Sequence, residues 1–193
     1  MKTFFFLSLS LLFIFAAPTF AQSATGEVGG VAMRADADSI YSGTTRPRIE
    51  TVANVSAPGS VRALERRAFD LINEERTRRG LRALEWSDDA AQVARSHSRN
   101  MAQYHFFSHK GLDGSMANDR AEQMGIFNWR AIGENIAFNR GYNEPADFAV
   151  QTWLESPAHK ANMLNKDWNE SGIGAAVAAD GSYYFTQVFL LRK

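Results

Sequence analysis

The sequence predicts an α+β domain. Apolar residues recur at helical spacing through residues 61–164, β-prone segments occupy 173–179 and 183–191, and Asp180-Gly181-Ser182 separates those two. A 3.6-residue period buries one stripe of a helix, whereas a Gly-bearing turn between β-prone runs marks an antiparallel hairpin. Helices followed by such a hairpin fall in the α+β class. The chain has 193 residues, 45% of them hydrophobic, which is enough for one core, and no internal repeat divides it.

At the N-terminus, Lys2 precedes the apolar run Phe4 to Phe15, and Ala16-Ala17-Pro18-Thr19-Phe20-Ala21 follows before polar Gln22. This is the layout of a secretory signal peptide over residues 1–21, with cleavage expected after Ala21. The rival reading is a membrane anchor, but the run falls short of the roughly 20 residues that span a bilayer and Pro18 interrupts it; no later stretch is long and apolar enough, so no transmembrane segment is expected in the mature chain. Residues 22–60 are rich in Ser, Thr, Ala, Gly and Pro and read as a flexible spacer, with a strand at Ile49 to Val52 as the rival. The folded domain is expected over 61–193.

Val61, Leu64, Ala68, Leu71 and Ile72 predict a first helix ending near Gly80. Arg62, Arg66, Arg67, Arg76, Arg78 and Arg79 alternate with Glu65, Asp70, Glu74 and Glu75, the pattern of a solvated, salt-bridged face. Ser87 is the expected N-cap of a second helix, with Asp88 and Asp89 complementing its dipole. Ala90, Val93, Ala94, His97 and Met101 share its apolar stripe, which makes His97 a hydrogen-bonded core histidine. A third helix is expected between Ser115 and Met124, closed by Gly125. A fourth starts near Asn143, with Pro145 in its first turn. Ser156-Pro157 opens a short fifth helix, in which Ser156 and His159 resemble a capping box with His in place of Glu.

Composition narrows the chemistry. Lys plus Arg and Asp plus Glu each number 21, so the chain lacks the basic excess of a protein that grips nucleic acid through phosphates. Cysteine is absent, which removes disulfides, thiolate metal sites and cysteine nucleophiles. Any transition-metal site must draw on carboxylates and the four histidines, His97, His105, His109 and His159. There is no HExxH pair, GxSxG elbow or P-loop. His105 and His109 lie four apart around Phe106-Phe107, where the sequence reads as a chain leaving its helix. Gly133-Glu134-Asn135-Ile136-Ala137 sets a carboxylate in an apolar segment, and a buried Glu needs partners, so Glu134 is a candidate site residue.

Four segments in order carry a resemblance: His97-Ser98-Arg99-Asn100-Met101 running into Phe107-Ser108-His109; Gly133 to Ala137; Trp153 to Leu164; and Gly172-Ile173-Gly174 with Tyr184 to Phe189. Over residues 64–191 the chain resembles the CAP superfamily of cysteine-rich secretory, antigen 5 and pathogenesis-related proteins, more narrowly its bacterial secreted SCP-domain members. The resemblance implies an α-β-α sandwich with a three-stranded antiparallel sheet between helical layers and a wide cleft. It places His109, His159 and Glu134 in that cleft. A second acid of the family falls at Ser156 here, which leaves Glu155, one residue earlier, or Asp119 to complete the set. A one-residue shift on a helix turns a side chain by about 100°.

Two imidazoles and a carboxylate are a ligand set for Zn²⁺ or another divalent cation. The same residues also make a structural hydrogen-bond network. Two functions stay open. One is a secreted or periplasmic monomeric binding module for a small hydrophobic molecule, peptide or envelope component. The other is a metal-dependent hydrolase with Glu134 as base. No nucleic-acid partner is expected.

Overall fold

In a computed structural model describing residues 58–192, helix α1 (Pro58–Arg78) leads the domain. The signal peptide, most of the spacer and the strand at 49–52 lie outside the described residues. Residues 58–60, read above as the end of the spacer, are helical. Ala68 and Ile72 are fully buried on α1, and so are Glu65 and Arg76. Glu65 and Arg76 depart from the solvated face expected of the charged positions, as does Glu75, which is 5% exposed and paired with Arg78 and Arg79. Glu65 and Arg76 sit on the same stripe at helical spacing, and each is buried because it has partners. Glu65 accepts from Arg95 Nε and Nη2 at 3.0 and 2.7 Å. Arg76 donates to the carbonyls of Met163 at 2.7 Å and of Arg82 and Asn165 at 3.0 Å.

The expected N-cap is in place. Ser87 Oγ accepts from Ala90 N at 3.4 Å and starts α2 (Asp88–Tyr104), which buries Ala90, Val93, Ala94, His97 and Met101. His105 ends the helix in the left-handed region at φ 52°. It therefore shares no helix with His109. Helix α3 (Ala117–Gln123) follows, then α4 (Pro145–Glu155) and α5 (Pro157–Met163). Ser156 precedes α5 in extended geometry but makes no side-chain capping bond, so the Ser156–His159 box does not form. Pro157 stands in the first turn of α5, where its fixed φ already suits the helix.

Four strands form among the described residues: β1 (Glu85–Trp86), β2 (Ala131–Asn139), β3 (Glu170–Val177) and β4 (Tyr183–Leu191). Their order is β1-β3-β4-β2, with β1 parallel to β3 and the other pairs antiparallel. The three-stranded antiparallel sheet is thus corrected to a four-stranded mixed one. Glu85 N donates to Asn169 O and Ser87 N to Ser171 O, both at 2.9 Å, which lays β1 along the open edge of β3.

Alternation assigns the two faces. Ile173, Ala175, Phe185 and Phe189 pack with Ala68, Ile72, Val150, Trp153 and Met163 from α1, α4 and α5. On the opposite face Val188 and Leu190 pack with Ala90, Val93, Ala94 and Ala121 from α2 and α3. The sheet lies between helical layers, and β2 is its far edge. An open edge strand invites foreign pairing. Two carbonyls of β2 are taken by side chains instead: Asn162 Nδ2 donates to Glu134 O at 3.1 Å and Trp153 Nε1 to Ile136 O at 2.9 Å.

The motif Gly172-Ile173-Gly174 now has a physical reason. A Cβ on Gly172 meets Ala91 N at 2.1 Å, and one on Gly174 meets Arg95 N at 2.1 Å. Helix α2 therefore lies directly on the β3 backbone. Ser98 Oγ fixes the contact, donating to Gly174 O at 2.9 Å beside Thr186 Oγ1 at 2.8 Å.

Candidate functional site

The edge strand β2 is where groups from both helical layers meet. Glu134 points to the α2–α3 side, and the loop after α2 brings His109 to it. His109 Nδ1 lies 2.9 Å from Glu134 Oε1. The other carboxylate oxygen, Oε2, accepts from Arg120 Nη2 at 2.5 Å. The side chains of Glu134 and Arg120 are 6% and 4% exposed, whereas His109 is 42% exposed. From the other side α5 brings His159, whose ring centre is 6.4 Å from that of His109. Burial, and then the nearby His109, hold the His159 imidazole below the usual histidine range.

The supporting bonds explain the neighbouring motif residues. Asn135 Nδ2 donates to His159 O at 3.1 Å, and Asn162 Nδ2 donates to Asn135 Oδ1 at 3.0 Å. Trp168 Nε1 donates to Asn162 O at 3.0 Å. These groups crowd one position on the strand, because a Cβ on Gly133 meets Trp168 Cζ2 at 2.8 Å and Asn162 Oδ1 at 3.0 Å. A polar cluster whose members are bonded on several sides is rigid as well as stable.

The other sequence candidates stand elsewhere. Glu155 Oε1 accepts from Gln151 Nε2 at 2.7 Å on the exposed side of α4. Asp119 Oδ2 accepts from Met116 N at 2.8 Å and Oδ1 from Asn118 Nδ2 at 2.9 Å, so it secures the start of α3. His97 is fully buried, 2.8 Å from Ser108 O through Nε2, and burial pushes its imidazole below the usual histidine range. Its bond anchors the loop that carries His109.

Arg120 is the residue that sequence reasoning missed. It shares a helical face with buried Ala117 and Ala121, and an arginine on such a stripe signals a guanidinium that needs buried acceptors. Among the described residues, no three His, Cys, Asp or Glu side chains are grouped to hold a metal ion. The donor set explains this: both oxygens of Glu134 are occupied, one of them by a cation. With Glu134 held in this way, the residues present do not fit the two-imidazole, one-carboxylate ligand set expected for a divalent metal.

Beside this cluster lies a hollow of about 350 Å³. Phe106, Phe107, Ile136, Phe138 and Tyr184 form its apolar walls, with His159 at one side. Phe138 packs against Tyr184 at 5.0 Å and Phe107 at 6.2 Å between ring centres, yet Phe107 and Phe138 remain 53% and 43% exposed. A second hollow, about 500 Å³, lies between α1 and α4 around Leu71, Tyr142, Phe148 and Leu154 and holds none of the candidate residues. Size alone favours the second. The first combines apolar walls with convergent polar groups, which is the character of a ligand site.

Comparison with known proteins fits this geometry. The family model described as CAP, cysteine-rich secretory protein family, matches residues 69–189. The Bacillus subtilis (strain 168) protein YlbC, described as an uncharacterized membrane protein, is 38% identical over 128 residues, 66% of this chain and 34% of its own length. YkwD of the same organism is 32% identical over 65% of this chain and 47% of its own length. The chain thus spans between a third and a half of these curated relatives. Among solved structures, an extracellular SCP-domain protein of Bacillus anthracis is 31% identical, with a TM-score of 0.58 over 70% of this chain and 44% of that one. An outer surface protein of Borrelia burgdorferi shares the fold, with a TM-score of 0.62 at 22% identity over 69% and 96% of the two chains. No helix among the described residues is long and apolar enough to cross a membrane.

Proposed function

Because the chain belongs to the CAP family of cysteine-rich secretory proteins, we propose that it is an exported binding module whose ligand occupies the hollow at the β2 edge. The observation that carries this reading is the pairing of an aromatic-walled hollow with the His159 imidazole in its lining, behind which the His109 ring centre lies 6.4 Å away. About 350 Å³ falls within the ~300–1,000 Å³ range of small-molecule sites. A lipid-like molecule suits it best, with its apolar body against Phe107, Phe138 and Tyr184 and a hydrogen-bonding head toward His159 and His109. Export is supported by the signal-like N-terminus and by the extracellular and outer-surface descriptions of the similar proteins. A hydrolytic reading with Glu134 as base is less well supported, since His109 and Arg120 occupy both its oxygens.

Titration with a fluorescent fatty acid, cis-parinaric acid, tests the site. Phe138→Asp sets a charge in the wall of the hollow at a half-exposed position, so the fold tolerates it. Binding is expected to weaken at least tenfold in that variant and to stay unchanged in Tyr142→Asp, which alters only the second hollow. Equal loss in both variants, or loss only in Tyr142→Asp, contradicts the assignment.

A further inference from the structure

We infer that Arg120 sets the ion specificity of the His/Glu cluster: by holding Glu134 it closes the site to divalent cations. The guanidinium is not a loose surface counter-ion. Its Nη1 donates to His109 O at 3.2 Å and Ser115 O at 2.8 Å, and its Nη2 donates to Glu134 Oε2 at 2.5 Å. The loop that presents His109 therefore also pins the cation, in a side chain only 4% exposed. A metal approaching Glu134 has to displace an always-charged group fixed between the carboxylate and two loop carbonyls, and then sit beside it. The remaining oxygen, Oε1, is committed to His109 Nδ1. Glu134 is thus held out of the ligand set, which leaves two imidazoles alone, short of the three protein ligands of an open zinc site.

The consequence is specific to one residue. Arg120→Gln removes the charge and frees Glu134 Oε2, while His109 and His159 stay close enough for small rotations to bring both rings to one ion. The test is calorimetric titration of Zn²⁺ into the wild type, His109→Ala/His159→Ala, Arg120→Gln and Arg120→Gln/His109→Ala at pH 7.5, with circular dichroism as the check on folding. The wild type is expected to give no more Zn²⁺ binding than the double-histidine variant. Arg120→Gln is expected to bind at least tenfold more tightly than the wild type, and adding His109→Ala is expected to abolish that gain. The inference is overturned by a one-to-one wild-type site that the double-histidine variant loses, or by a folded Arg120→Gln that binds no better than the wild type. Where Arg120→Gln does not fold, the comparison of wild type with the double-histidine variant decides alone. This outcome is independent of fatty-acid binding, so either proposal can fail without the other.

Discussion

Gly174→Ala is expected to abolish stable folding. The added Cβ meets backbone atoms of α2, Arg95 N at 2.1 Å and Ala94 C at 2.3 Å, and backbone cannot rotate away as a side-chain tip can. Helix α2 has to leave the sheet, taking with it the packing of Ala94 and the bonds of Ser98. The expected loss exceeds about 4 kcal/mol, a large part of the roughly 5–15 kcal/mol that holds a domain of ordinary stability. Gly141→Ala separates this clash from the general cost of replacing glycine. Its φ is +81° with nothing within 4 Å of the new Cβ, so about 1–2 kcal/mol of backbone strain is all that is expected there. Urea denaturation of the two variants checks the difference. A Gly174→Ala protein as stable as Gly141→Ala disproves the direct helix-on-strand contact.

The second large effect arises in the site itself. Glu134→Ala leaves the Arg120 guanidinium 4% exposed and without its counter-charge, and breaking a buried pair in this way costs about 3–5 kcal/mol. His109→Ala removes a 42% exposed ring and is expected to cost less than about 1 kcal/mol. Adding Arg120→Met to Glu134→Ala should recover most of the loss, because the variant then buries no lone charge. A functional residue whose replacement is costly only while its partner remains is recognised by this non-additivity. Additive losses measured by denaturant unfolding contradict the pairing.

The main elements were legible because their signals are local. Ser87 before two aspartates, Pro145 and Pro157 in first turns, and Asp180-Gly181-Ser182 between β-prone runs each specify backbone geometry within a few residues. Two strands were not legible from the residues alone. β1 is two residues long and exists because β3 offers it an edge. β2 is an apolar segment whose alternation is broken by Glu134 and Asn135, which are buried by partners from α3, α5 and the loop carrying His109. The charged stripe on α1 misled for a related reason. Glu65 and Arg76 lie at core spacing, and only the fold supplies Arg95 and the carbonyls that satisfy them.

The site followed the same division. Motif order brought His109, Glu134 and His159 to one place, while Glu155 and Asp119 serve a helix surface and a helix start. Whether Glu134 is free to ligate depends on Arg120, 14 residues away in sequence, and no spacing rule connects the two.

The proposed function and the inference from Arg120 together require a domain that holds a small apolar-bodied molecule beside an ion-paired cluster closed to divalent metals. Native mass spectrometry of the protein purified from its native host measures both halves together. The expected spectrum shows an organic adduct that organic solvent releases and that Phe138→Asp lacks, with no zinc increment. A zinc increment that disappears in His109→Ala/His159→Ala, with no organic adduct, would contradict the account.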